Sequence, residues 1–530
     1  MTTIAIDFGT SNTVVSILEV NSQIPKNLRF AQISRLYHLK NILGETWQIP
    51  VIPTVVFINQ NQELILGKKV RDLSLNLSQP QRFFKNFKRD LAANFQGPPR
   101  YIDGNFYDAK IISELFIKEI WKYLKQHNIE PTEAIFTVPV GAYENYLNWF
   151  LALANKLNIP QVKLIDESTA AALGYAVKNP NSLVLVIDFG GGTLDLSLVR
   201  TLSSPGTDNE NRTQIFKAEV LAKSDAYLGG EDIDIWIVED YLRRQKLSRE
   251  KIGEMGWQNL LEIAEKLKIR LSHEEVVQEM WLDEESFISY ELELSRDKLT
   301  EILENQQLLE QLRYALDEVL HLASGKGIKK SDIQQVLLVG GTCFIPAIKQ
   351  LIISYFGQKK VKFHKPFDAV CHGALALSKF QKIDDYLHHT YVIRLWDPST
   401  KNYTYFSLFA KGSPYPCQRK EPLFLQVALT GQTEIKLDMG ELGEISEAEV
   451  SYDEYGQISP SYLQNKFIYR PLEMDRPQVC IGYLDPPGEV GIDRISVDFE
   501  VDENRILLAT VKDLLTNKIL INQQAIAKLK

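Results

Sequence analysis

Cysteine is scarce. Cys343, Cys371, Cys417 and Cys480 lie far apart and form no CxxC pair, which excludes a disulfide framework or a zinc ribbon and fits a reducing compartment. Basic residues are outnumbered: 59 Lys and Arg stand against 68 Asp and Glu, a net charge of -9. Nonspecific nucleic-acid binding relies on basic patches that neutralise phosphates, so no nucleic-acid partner is expected. Long apolar runs are missing too. Nothing approaches the roughly 18 uninterrupted apolar residues of a membrane-spanning helix, and no membrane partner is expected. The start has no basic stretch and reaches a carboxylate by Asp7, so a secretory signal peptide is not expected. What is present is ordinary for a globular chain: 45% apolar and 24% charged residues argue against a disordered or fibrous one. At about 100–200 residues per domain, a chain of 530 needs more than one compact unit. The expectation is a soluble, multidomain, cytoplasmic protein.

Two textures divide the chain. Up to about Phe380, strand-like and helical runs alternate, the pattern of an α/β protein. Helices are predicted over Ile111–Gln126, about Trp257–Ser272 and about Leu299–Ala323. After about Lys382, turns such as Asp485-Pro486-Pro487-Gly488 separate short alternating strands, and helical periodicity returns only in the last few residues. Ile495–Val501 alternates apolar and polar positions, Asp502 to Arg505 reads as a turn, and Ile506–Val511 reads as the returning strand. The expected domains are 1–380, a polar linker over 381–390, and a β-rich unit over 391–530.

One segment occurs twice. Ile4-Ala-Ile-Asp7-Phe-Gly9-Thr10 returns as Leu185-Val-Ile-Asp188-Phe-Gly190-Gly-Gly192-Thr193, too far along for a solenoid repeat and suited to a duplicated lobe. In the first copy, a strand ends at Asp7 and turns through Gly9, Thr10, Ser11 and Asn12. Successive amides in such a turn form an anion-binding nest, and the adjacent carboxylate can hold water-coordinated Mg²⁺. Alone, the motif is equally an ordinary hairpin. The second copy shifts that balance. Gly190, Gly191 and Gly192 between two apolar strands cost backbone entropy that a plain turn rarely requires, and a phosphate cradle accounts for it. A third strand, Val336–Val339, runs into Gly340-Gly341-Thr342, where paired glycines let a flat base or sugar lie against backbone, and Pro346 then opens a helix.

Taken together, these motifs resemble the phosphate and adenosine motifs of the actin-like ATPase superfamily, and within it the Hsp70 family. Ile165 to Tyr175 is similar to the family's connecting segment, Leu228-Gly229-Gly230-Glu231-Asp232 to its nucleotide loop, Thr137-Val-Pro139 to a strand end, and Ala369 to Ala376 to its last ATPase helix. Phe409 to Pro416, Gly431 to Leu437 and Asp498 to Asp513 resemble strands of the family's substrate-binding β domain. The resemblance implies an α/β, actin-like (ribonuclease H-like) ATPase domain of two duplicated lobes, followed by an all-β sandwich domain. It implies ATP or ADP with Mg²⁺ as cofactors. Asp7 and Asp188 would hold the waters around the metal. Thr10, Ser11, Asn12 and Gly190 to Thr193 would meet phosphates, with Glu167 and Asp195 beside the attacking water and Lys88 as catalytic lysine, Lys85 being the fallback. The residues themselves leave a solvated basic patch open for Lys88 and an N-cap neighbour open for Glu167. Glu265, Lys268 and Ser272 match nucleoside contacts.

The sequence also departs from the family. Ile269 and Phe344 stand where the family carries arginines that stack on adenine, with Arg270 one step along. Losing cation–π stacking is expected to weaken nucleotide binding, with apolar contact from Phe344 or Ile269 as the substitute. The linker has one strongly aliphatic residue, Leu387, and the sequence is read as lacking the family's helical lid. His388-His389 reads as a loop pair rather than a metal site. Tyr403, Tyr405, Phe406 and Phe409 read chiefly as sandwich core, with a peptide-contacting surface as the other reading. The expected function is an Hsp70-like chaperone in which Mg²⁺-dependent ATP hydrolysis drives binding of unfolded polypeptide or a dedicated client, with J-domain and nucleotide-exchange co-chaperones as partners. The alternatives are a nucleotide-gated module with little hydrolysis and a non-chaperone actin-like ATPase.

Overall fold

In the computed structural model, Thr3–Phe8 and Leu183–Phe189 are the central strands of two sheets wired alike. Thr3–Phe8 pairs antiparallel with Asn12–Leu18 on one side and parallel with Glu133–Val138 on the other, which in turn pairs parallel with Gln161–Asp166. Leu183–Phe189 pairs antiparallel with Leu194–Ser204 and parallel with Ile333–Val339, which pairs parallel with Val361–Lys362. Each hairpin then pairs antiparallel with a further strand, Thr46–Pro53 or Ile215–Ala226. Strands buried on both faces need cover on both faces. Ile4, Ile6 and Phe8 anchor one core, and Leu185, Ile187 and Phe189 anchor a separate one, so the duplicated segment makes two lobes.

The structure describes residues 2–18, 24–40, 46–92, 98–139, 144–175, 181–204, 215–283, 287–378, 387, 389–397, 402–410, 413, 415–448, 451–452, 458–459, 463–472, 478–502 and 505–529. The chain divides into two compact units, Met1–Gln381 and Lys382–Lys530. Most of the linker segment 381–390, and His388 with it, lies outside the described residues. Leu387 is described, and it is buried in the core of the second unit.

Two helices join the lobes. Glu167–Gly174 carries the buried Ala170, Ala171 and Ala172, and it crosses Ala369–Ser378, whose Ala374 is also buried. The crossing admits no side chain at its two glycines. A Cβ on Gly373 would lie 1.7 Å from the Ala170 carbonyl oxygen, and one on Gly174 would lie 1.7 Å from that of Ala369. Backbone cannot yield as a flexible side chain does. Gly373→Ala is therefore expected to destabilise the chain by about 1–3 kcal/mol or more, read as a lowered thermal midpoint. Gly325→Ala, where an added methyl meets open space, is the control expected to leave that midpoint unchanged or slightly raised.

Three helical expectations needed adjustment. Ala109–Gln126 begins two residues early because Asp108 caps it, accepting a hydrogen bond from the Ile111 amide at 2.7 Å. The helix expected near Trp257 starts at Arg249 and bends at Gly253. The span Leu299–Ala323 is two helices, Arg296–Asn305 and Leu308–Gly325, separated where Gln307 takes a left-handed conformation with φ 57°.

Among the described residues, the second unit holds a two-stranded pair, Ser451–Tyr452 with Ile458–Ser459, and two five-stranded β-sheets. One orders Asn402–Phe409, Thr390–Asp397, Gln432–Ala448 and Leu463–Pro471, with Gln478–Gly488 also paired to the third strand. In the other, Ile495–Val501 pairs with Ile506–Asp513, and Ile519–Lys528 follows. Tyr391, Ile393, Leu437, Val497, Phe499 and Val511 share the core between them. The last residues are thus a strand, not a helix, because their backbone groups complete the sheet edge at Ile506–Asp513. The tyrosines also differ from the core reading. Phe409 is buried, but Tyr403 and Tyr405 are 51% and 41% exposed, on a solvent face where Tyr405 stacks with Tyr469 at 5.6 Å.

Candidate active site

The tips of the two hairpins meet. A Cβ on Gly191 would lie 1.8 Å from Ser11 Oγ, and one on Gly192 would lie 2.7 Å from Thr10 Cγ2. These two glycines are therefore required for one turn to approach the other, a reason that turn chemistry alone did not supply. Gly190 has more room; its carbonyl accepts the Gly230 amide at 3.0 Å and the Thr342 hydroxyl at 2.7 Å. The Gly191 carbonyl accepts the Glu231 amide at 2.9 Å, and the Gly229 backbone lies directly against Gly191. Gly340 packs on the Phe189 carbonyl with φ 83°. From the first lobe, Ser11 Oγ donates to Glu231 Oε1 at 2.9 Å, while Thr54 donates to the Gly9 carbonyl at 2.9 Å and steadies that turn. Segments far apart in sequence thus converge on one pair of turns.

Next to the turns sits a buried charge cluster. Lys88 Nζ lies 2.9 Å from Glu167 Oε1, both side chains being close to fully buried. Burial disfavours its charge, yet Glu167, Tyr146 and Asp7 hold the Lys88 ammonium above its ordinary range. Glu167 opens its helix next to the N-cap Asp166, which accepts the Thr169 amide at 2.7 Å; its carboxylate is free to meet Lys88. Asp7 accepts a hydrogen bond from Thr137 at 2.9 Å. Burial and the Glu167 charge push its carboxyl up to about 7. Burial, Glu167 and Asp225 do the same for Asp195, also to about 7, against a hydrogen bond from Thr193. Asp188 is raised well above the carboxylate range by burial, Glu167, Asp195 and Asp7. Among the described residues, four carboxyls act on one another beside one ammonium, an excess of buried acid over base that the raised aspartates express.

That excess fits a divalent cation. Among the described residues no cluster of His, Cys, Asp or Glu is spaced to grip a metal directly. A hard ion that keeps its water shell, as Mg²⁺ does, asks for carboxylates at one remove, and Asp7 and Asp188 on facing strand ends suit that demand.

The cleft beside the turns encloses about 450 Å³ and is lined by Ser11, Asn12, Gly191, Gly230, Glu231, Glu265, Lys268, Ser272, Gly341 and Thr342. Glu265 and Lys268 are spaced along Arg249–Leu271 to share a face, with Ser272 just beyond its end. Lys268 Nζ lies 2.7 Å from Asp234 Oδ1. Sequence reasoning missed two first-lobe arginines of this cleft. Arg71 Nη1 lies 2.5 Å from Glu265 Oε2, and Arg35 Nη2 lies 3.5 Å from Glu265 Oε1. Against the cost of burial, Arg71, Arg35 and Lys268 hold the Glu265 carboxyl well below the usual range. Arg89 also reaches from the first lobe to the second, donating to the Tyr227 carbonyl at 2.7 Å. Lys85 lines the cleft, while Lys88 is the lysine that joins the carboxylates.

The chain is similar to known proteins along most of its length. A family model described as Hsp70 protein matches residues 102–382, more than half of the chain. A chaperone protein DnaK from Thermus thermophilus is 25% identical over 551 residues, covering 97% of this chain and 79% of that protein. The DnaK of Mycoplasmopsis pulmonis is 27% identical over 536 residues, with 97% and 77% covered. That of Thermosipho melanesiensis is 23% identical over 542 residues, with 97% and 78% covered.

Proposed function

The chain belongs to the Hsp70 family, and from that premise we propose that it is a chaperone ATPase that hydrolyses ATP between the two lobes of its first unit. The observation that carries this reading is the buried Lys88–Glu167 pair among Asp7, Asp188 and Asp195, next to two hairpins whose tips touch. Family members are ATPases that use Mg²⁺, and the relatives named above are chaperone proteins.

In this reading Asp7 and Asp188 hold the waters of the metal. The backbone amides of Gly9 to Asn12 and Gly190 to Thr193 bind the β- and γ-phosphates, with the Thr10, Ser11 and Thr193 hydroxyls beside them. Mg²⁺ supplies charge neutralisation on the phosphates when bound. Lys88 Nζ stabilises negative charge on the transferring phosphoryl group, and Glu167 orients the attacking water. Asp195, its carboxyl pushed up to about 7 by burial, Glu167 and Asp225, is matched to accept a proton at neutral pH. Glu265, Lys268 and Ser272 take the nucleoside, against the backbone of Gly229, Gly230, Gly340 and Gly341, with Glu231 and Thr342 fixing the loops.

The β unit is the proposed site for unfolded polypeptide or a dedicated client, with J-domain and nucleotide-exchange proteins as partners. Coupling between the units is a free energy linking two sites. Turnover of ATP with and without an unfolded polypeptide reads that coupling. Stimulation of several-fold is the expected outcome. Unchanged turnover at saturating polypeptide would contradict a chaperone cycle and favour a nucleotide-gated module.

A further inference from the structure

The chain has a net charge of -9, yet its segment 326–365 holds eight lysines and one carboxylate, Asp332. The fold gathers most of these lysines along one edge. Val361–Lys362 pairs with Ile333–Val339 and forms an edge of the second lobe's sheet, with the helix Pro346–Phe356 beside it. Lys330 Nζ lies 5.1 Å from the ring centre of Tyr355, near the end of that helix. Lys349 Nζ, from the same helix, lies 3.4 Å from the ring centre of Phe363, next to the edge strand. Lys360 donates to the Ser331 carbonyl at 3.0 Å, and Lys362 to that of Lys359 at 2.9 Å. An ammonium has three donors, so both keep N–H groups to spare. Elsewhere surface lysines sit against acids, as Lys68 does with Asp72 and Lys298 with Glu301. Here Asp332 accepts the Lys329 amide and Asp317 the Tyr355 hydroxyl. Among the described residues, Lys330, Lys349, Lys359, Lys360 and Lys362 form no ion pair with a carboxylate.

We propose that this edge of the second lobe is a docking surface for an acidic, extended segment of a partner protein. The inference is independent of the nucleotide reading, because none of these lysines lines the cleft. Lysine on an edge strand guards it against pairing with another sheet, but that role does not require five of them. Such a cluster without partners makes a field that attracts carboxylates. Lys360 and Lys362 are two residues apart, about 6.6 Å along an extended chain. Alternate side chains of an extended acidic partner repeat at the same spacing. The segment 326–365 contains no arginine, whose planar fork suits phosphates. The Tyr355 and Phe363 rings each carry an ammonium over one face, where a nucleic-acid surface offers open rings to bases. Among the described residues, no large apolar side chain between Leu322 and Leu395 is exposed, so the apolar anchor of a membrane-binding surface is missing too.

Fluorescence anisotropy of labelled decaglutamate titrated with the full chain tests this. Saturable binding is expected at low ionic strength, and its loss at about 1 M salt, where screening acts over about 3 Å. A labelled Gly-Ser peptide of equal length should not bind. Lys359→Glu combined with Lys362→Glu should weaken decaglutamate at least about fivefold, because reversal removes two attractions and adds two repulsions. Lys359→Gln combined with Lys362→Gln should weaken it in the same direction but less. Both variants should keep the wild-type thermal midpoint. No binding of decaglutamate by wild type at low salt would overturn the inference, as would equal affinity in the charge-reversed variant. Tighter binding of a single-stranded oligothymidylate of equal charge would assign the surface to nucleic acid and overturn it as well.

Discussion

Lys88→Ala is expected to slow single-turnover hydrolysis of ATP by about 10²–10³-fold, the cost of removing one preorganised donor aimed at developing charge. Among the described residues, Lys88 is the one ammonium beside Asp7, Glu167, Asp188 and Asp195 in the buried cluster. Its removal also leaves Glu167 without its partner at 2.9 Å. Breaking a buried pair from one side typically costs about 3–5 kcal/mol, so the variant should melt earlier as well. Two readouts separate chemistry from collapse. Binding of Mg²⁺-ADP should persist, because the nucleoside and phosphate contacts lie on other residues, while hydrolysis of bound ATP should nearly stop. Equal hydrolysis by variant and wild type would place the catalytic cation elsewhere.

Asp188→Asn should have the second-largest effect, and in opposite directions with and without metal. In metal-free buffer the Asp188 carboxyl binds its proton more tightly in the folded chain than in the unfolded one, where its value is near 3.8. Stability therefore falls as pH rises above about 4, since the unfolded chain ionises first. That loss continues until the folded carboxyl itself ionises, so part of the cost of the buried charge is present at pH 8. The amide carries no such cost, so Asp188→Asn should raise the metal-free thermal midpoint at pH 8, and the gain should vanish near pH 4. With Mg²⁺ and ATP the order should reverse. Wild type gains RT ln(1 + [L]/Kd) from its ligand, and the variant, lacking one water-holding carboxylate, should gain little. A variant less stable than wild type in metal-free buffer at pH 8 would show that Asp188 is held by a structural partner rather than kept for a cation.

Both effects could be anticipated from the sequence only where residues carried a pattern. Asp7 and Asp188 were legible because each precedes a glycine turn inside an apolar strand, and the duplication set them on equivalent sheet positions. The triple glycine was noticed for its entropy cost, but its geometric reason was hidden. Gly191 and Gly192 face Ser11 and Thr10 of the other lobe, a contact no local window contains. Arg35 and Arg71, which meet Glu265 across the cleft, were missed for the same reason. They sit outside any motif and reach the cleft only through the folding of the first lobe over the second. The exposed Tyr403 and Tyr405 misled because aromatic alternation signals a half-buried strand without saying which face meets the core. The last strand, Ile519–Lys528, is too polar to announce itself, and the edge of Ile506–Asp513 determines its conformation.

Titration calorimetry with Mg²⁺-ATP, comparing wild type with Asp7→Ala, tests the central claim most directly. The account predicts saturable heat with one site per chain for wild type and its loss, or a shift to far weaker binding, when the Asp7 carboxylate is removed. No heat from wild type, or the same heat from Asp7→Ala, would contradict it.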